Sequence, residues 1–154
     1  MNHLKVTTHQ QYLWNGIQLL GDFGYQFNHR EEWSAFHTHY DTQVMPAKDP
    51  DRELVFKLHT FSSSLKLRLS SSSSWEHMAG WNMQIQKNAI GGYSFLLPEY
   101  KRFTTGAFWL TTFRLDNRLS VTGGIRYDRG RIDITAFEDP YLVEYLHRQG
   151  YEER

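Results

Sequence analysis

From Trp75 to Lys87 the chain alternates apolar with mostly polar positions. Trp75, His77, Ala79, Trp81, Met83 and Ile85 fall on one side. Glu76, Met78, Gly80, Asn82, Gln84 and Gln86 fall on the other. Period two is the mark of a β-strand whose two faces meet different surroundings. The same rhythm recurs, weakly near His3–Leu13 and clearly at Ile17–Asn28, Leu54–Ser70, Arg102–Leu115 and from Arg118 to about Thr135. Soluble strands average about 5–6 residues. These segments reach the roughly 9–11 residues that a tilted strand needs to cross a bilayer.

The connections alternate in length. Asn15-Gly16, a pair suited to a type I′ turn, Ser70–Ser74 and Asp116-Asn117 are short. His29–Arg52 and Asn88–Lys101 are long and polar, with Pro46, Pro50, Pro98 and Gly91-Gly92 among them. Such a pattern predicts an all-β fold. It is an antiparallel up-and-down meander of about six long strands, forming a barrel or partial barrel, as one domain over residues 1–154. All short turns then lie on one edge and all long loops on the other. Within Leu54–Ser70 the apolar parity changes from Leu54, Phe56 and Leu58 to Phe61, Leu65, Leu67 and Leu69, which predicts a β-bulge near 59–62. Trp33–Asp41 is expected to prolong the second strand. Gly123-Gly124 predicts close strand packing or a bulge. At the tail Asp139-Pro140 reads as an N-cap followed by proline in the first helical turn, with Gly150 placed to end a short helix. That helix is expected to lie over the long-connection edge.

Composition narrows the function classes. Lys+Arg and Asp+Glu balance at 17 each over 154 residues, so no net field favours nucleic acid as a partner. Aromatic residues make up 16%, a content that suits aromatic girdles or a large binding surface. The mean hydropathy of −0.62 is too polar for a bundle of membrane helices, yet fits a barrel in which alternate residues meet lipid. Cysteine is absent, which excludes a disulfide framework, thiolate metal sites and a cysteine nucleophile. No apolar leader stands at Met1–Lys5.

Arg118-Leu119-Ser120-Val121-Thr122-Gly123-Gly124-Ile125-Arg126-Tyr127-Asp128 resembles the L-S-(V/I)-T-G-G-(L/I/V)-R-Y-D strand of TonB-dependent outer-membrane receptors. Trp75–Trp81 after its serine turn resembles the same family, and the loop Ile90–Tyr100 is similar to an external loop of its Bacteroidetes-type members. The resemblance implies an outer-membrane location and uptake of a chelated metal or other nutrient. It also implies a plug domain and TonB as partners in the full-length receptor, lipid around the barrel, and no chemistry or cofactor of the segment's own. The family has 22 strands around a plug, so about six strands without plug or TonB box correspond to an internal slice of the barrel.

Aromatics concentrated in the long connections, Trp33, Phe36, Tyr40, Tyr93, Phe95 and Tyr100, are candidate substrate contacts, unless they pack together to order the loops. Arg114 and Arg126, on the polar side of their strands with Arg118 and Asp128, are candidates for lining a polar lumen. His37, His39 and Asp41, spaced i, i+2, i+4, would project to one side of an extended segment and offer two imidazoles and a carboxylate to a metal. The competing reading of this trio is an exposed polar loop. No serine lies in a G-x-S-x-G setting, so a hydrolase is disfavoured. The alternative function is a small soluble β-barrel that binds an apolar ligand, as lipocalins do.

Overall fold

The computed structural model describes residues 1–151 except 39, 71, 72, 95 and 117. Six strands, β1 (Asn2–Trp14), β2 (Ile17–Trp33), β3 (Arg52–Ser70), β4 (Trp75–Gly91), β5 (Tyr100–Arg114) and β6 (Ser120–Ile134), precede one helix, α1 (Pro140–Arg148). The strands form a single antiparallel sheet in chain order. β1 and β6 are its edges and do not pair with each other, so the sheet is open. Among the described residues no helix is long and apolar enough to cross a membrane.

Local chemistry sets the frame. Asn15 and Gly16 both take positive φ, 44° and 80°, the type I′ geometry whose twist matches the flanking strands. Cross-strand partners share a face. The pairs Trp14↔Ile17, Ile17↔Leu69, Leu67↔Ala79, Ala79↔Trp109 and Trp109↔Ile125 therefore carry one face across all six strands. Ile17, Phe23, Tyr25, Leu65, Leu67, Trp81, Trp109, Val121 and Ile125, expected on one side, all belong to it. So do all five tryptophans: Trp14, Trp33, Trp75, Trp81 and Trp109. The opposite face is polar and, at mid-strand, made of small residues such as Gly24, Ser62, Ser64, Asn82 and Gly106.

The sheet has almost no core. Among the described residues the only buried apolar side chains are Leu54 and Val55, 8% and 7% exposed. The rest of the apolar face, including Trp75, Trp81, Trp109, Val121 and Ile125, is open.

Several boundaries differ from expectation. β3 pairs without interruption through 59–62, so the predicted bulge is absent there. The parity change has another cause. At the long-connection end the polar face itself turns apolar: Phe56 faces Ile90 and Tyr100 faces Ile134. Leu54, Phe56 and Leu58 join that patch in unbroken register. The one irregularity of the β2–β3 ladder lies at Glu32/Trp33. β2 ends there and does not extend to Asp41. Gly123-Gly124 produces no bulge either. A Cβ on Gly124 would stand 2.3 Å from the Leu110 side chain and 2.7 Å from the Trp109 carbonyl oxygen, so this position serves close strand packing. The last hairpin connection runs over 115–119 rather than 116–117, because Leu115 N donates to Leu119 O at 3.0 Å. Asn117 lies outside the described residues.

Candidate functional site

The short connections 15–16, 71–74 and 115–119 gather at one end of the sheet, and 34–51, 92–99 and α1 at the other. The long-connection end is built by backbone first. Ser34 N donates to Asp51 O at 2.9 Å, closing the base of the first long loop. Tyr93 N and Ser94 N donate to Arg52 O and Glu53 O at 3.3 and 3.0 Å, which lays the second long loop along the start of β3.

Aromatic side chains then lock the loops together. The Phe36 and Tyr93 rings meet edge to face with centroids 5.0 Å apart. Tyr93 Oη contacts Ser34 Oγ at 3.1 Å and His37 Nδ1 at 3.4 Å. Tyr40 donates its hydroxyl to Asp139 and packs its ring on Tyr145 at 5.8 Å. Asp139 also accepts from Tyr141 N and Leu142 N at 3.0 and 3.4 Å, so it caps α1 as predicted, with Pro140 in the first turn. Gly150, at φ 83°, follows the helix. The loop thus holds the helix through its cap, over the long-connection end. A cleft of about 420 Å³ remains between Tyr40, Gln43, Tyr93, Ser94, Phe137 and Leu142.

The sequence candidates divide accordingly. Phe36, Tyr40 and Tyr93 come together, and they order the loops while Tyr40 and Tyr93 also wall the cleft. Trp33 stands on the apolar face, its Nε1 donating to Glu31 at 3.2 Å. Tyr100 opens β5 on the other face. Phe95 lies outside the described residues. Arg114 sits near the short-turn end, donating to Glu76 at 2.9 Å, and Glu76 also binds Arg68 at 3.1 Å. Arg126 is paired with Asp128 at 2.6 Å. Both arginines lie on the polar face as predicted, each held by a carboxylate.

His39 is outside the described residues, His37 turns Nδ1 toward Ala35 O at 3.2 Å, and Asp41 lies in the turn closed by Gln43 N donating to Tyr40 O at 3.1 Å. Among the described residues no group of three His, Cys, Asp or Glu is arranged to hold a metal ion. Gln43, Ser94, Phe137, Asp139 and Leu142 join the cleft without having been candidates. Of these Asp139 carried a sequence signal as a helix cap, and Leu142 one as part of the helix's i, i+4 apolar stripe with Leu146.

The polar face offers a second recess, about 520 Å³, against mid-strand residues including His9, Asp22, Ser64, Asn82 and Thr104. His9 Nδ1 and Asp22 Oδ1 stand 2.6 Å apart across β1 and β2. The recess exists because Gly24, Ser62 and Ser64 fill little space there. The chain matches no protein-family model and no curated protein sequence.

Proposed function

We propose that this chain is a wall segment of an outer-membrane β-barrel receptor of the TonB-dependent type. In this reading it serves uptake of a chelated metal or other small nutrient and carries out no chemistry itself. In the full-length receptor its partners are outer-membrane lipid, a plug domain, TonB and the substrate. The observation that carries this reading is the uncovered apolar face, with all five tryptophans on it and almost no buried core. Left in water, such a face opposes solubility as a monomer. Hydrocarbon is its natural solvent, and the ladders satisfy the backbone groups between strands, as a bilayer requires.

The dimensions agree. Along β4 the apolar run from Trp75 to Ile85 is about 33 Å at ~3.3 Å per residue, hence about 23 Å high at a ~45° tilt, against the ~25 Å band of outer-membrane barrels. Aromatic clusters flank it. Trp75 packs on Phe113 at 4.5 Å and Trp109 on His77 at 5.8 Å near the short turns, while Phe27 packs on His59 at 4.6 Å toward the long connections.

The upper margin of the band also drifts. On this face the first ionised residue past it is Glu31 in β2, Lys57 in β3, Lys87 in β4, Lys101 in β5 and Arg129 in β6. Relative to the hydrogen-bonded rows that margin falls by eight residues from β2 to β6, in unequal steps with none between β4 and β5. At ~3.3 Å per residue and ~4.8 Å per strand the slope is roughly 50°, near the tilt of a membrane-crossing strand.

Reconstitution into vesicles of brominated phosphatidylcholine tests the reading. Tryptophan emission is expected to be blue-shifted and strongly quenched by bromine deep in the chains. A monomer soluble without detergent, with blue-shifted emission that bromolipid leaves untouched, would overturn it in favour of a soluble ligand-binding barrel.

A further inference from the structure

We propose that Lys57, Lys87, Lys101 and Arg129 form a belt that binds the phosphate groups of membrane lipids on the long-connection side. The proposal rests on the membrane reading above and adds a ligand class and four residues to it.

The register assigns all four to the apolar face, one on each of four successive strands: His29↔Lys57, Lys87↔Lys101 and Thr105↔Arg129. All four side chains are exposed. They sit at the margin where the apolar band ends. Beneath the three lysines Phe61, Ile85 and Phe103 form one cross-strand row that continues to Arg131, and Arg129 stands one step below that row in β6. The other margin of the same face is built differently, from Trp14, Trp75 and Phe113, without a basic residue. The belt is therefore specific to one leaflet.

Two features ask for an anion. Lys87 and Lys101 stand directly opposite each other, an arrangement that like charges disfavour. Among the described residues none of the four basic groups takes part in an ion pair. The acids closest to them on this face are already engaged: Glu31 accepts from Trp33 Nε1 at 3.2 Å, and Asp133, directly opposite Lys101, pairs with Arg131 at 2.8 Å. A lysine at such a margin lays its methylene stem along apolar surface and lifts its ammonium to the headgroup level. A phosphate between Lys87 and Lys101 would relieve their repulsion, while the acyl chains of the same lipid run down over Phe61, Ile85 and Phe103. A free phosphate would use the cations and leave that row uncovered, so a lipid is the better match.

The experiment uses the whole chain in brominated phosphatidylcholine vesicles carrying a trace of spin-labelled phosphatidic acid or spin-labelled phosphatidylcholine. The protein-bound fraction of each label is read by electron paramagnetic resonance. The original chain is expected to prefer phosphatidic acid by roughly 5-fold or more, and to lose the preference when Lys57, Lys87, Lys101 and Arg129 are all changed to Gln. Lys5→Gln with Lys66→Gln, on the polar face, should keep it. Should the fourfold variant fail to insert, Lys101→Gln alone is scored by the same ratio and is expected to lower it.

Tryptophan quenching without lipid preference, or a preference that survives the substitutions, overturns the belt and leaves the membrane reading standing. Loss of the preference in millimolar inorganic phosphate at constant ionic strength would assign the site to free phosphate instead. Absence of quenching in the original chain overturns both readings together.

Discussion

Polar side chains paired two residues apart explain how β2 runs through sequence that reads as a loop. Residues i and i+2 of a strand share a face, so His29 meets Glu31 at 3.1 Å and Arg30 pairs with Glu32. Arg131 and Asp133 repeat the device in β6 at 2.8 Å. A charge run that neutralises itself along one edge of the pleat costs a strand little. This is why His29–Trp33 is strand although its composition suggests a connection. A single residue also governs the helix. Asp139→Ala removes the cap and the Tyr40 bond together, and a lost N-cap costs about 1 kcal/mol. Cα chemical shifts over 140–148 should move toward random coil. Asp139→Asn keeps a capping oxygen and should retain most of the helical shift. The cap was legible in the sequence because Asp-Pro at a helix start has a local cause. Tyr40 as its partner was not, since nothing local links two residues so far apart in the chain.

At the level of elements, strand existence and faces followed from period two, and the ends did not. Alternation reports what the two faces meet, and it fades where β2 and β4 leave the apolar band although hydrogen bonding continues to Trp33 and Gly91. The parity change in β3 shows the same limit: a second apolar patch on the other face mimics a slipped register. The connections yield two further predictions. Gly92 has φ 98°, and a Cβ there would lie 2.2 Å from the Glu53 carbonyl oxygen, so backbone must shift to admit it. Gly92→Ala should cost at least about 1 kcal/mol and release the Tyr93 and Ser94 amides from β3. Faster hydrogen exchange at those two amides is the readout. In the 115–119 turn, Asp116 accepts from Arg118 N at 2.7 Å and Leu119 N at 2.8 Å, and these bonds hold its pKa below the ordinary 3.8. A carboxylate depressed in the folded state stabilises above its unfolded pKa, and that contribution is lost as pH falls through the lower folded value. Arg118 and Leu119 amide exchange, corrected for intrinsic rates, should thus quicken only below about pH 4. Asp116→Asn should flatten the pH dependence.

The whole sheet is an object with a vertical scale, and its tryptophans are markers on that scale. Trp81 lies mid-band, Trp14 and Trp75 at the short-turn margin, and Trp33 well past the opposite margin on the same face. In vesicles, Trp33→Phe should leave quenching by deep bromolipid unchanged while removing the emission that aqueous iodide quenches. Trp81→Phe should do the reverse. Equal access of both reagents to Trp33 and Trp81 would mean that the face has no depth axis.

Six is an even number. β1 descends from the long-connection end and β6 climbs back to it, so the two open edges run antiparallel to each other. A block bounded in this way can be duplicated, deleted or exchanged between walls as whole hairpins without inverting any strand. Short turns stay below and long loops above after every such event. Its seams fall at the long-connection end, and connecting segments tolerate changes of length better than the strands they join. Recombination could therefore alter the circumference of a wall built from such blocks without revising the chemistry of either margin.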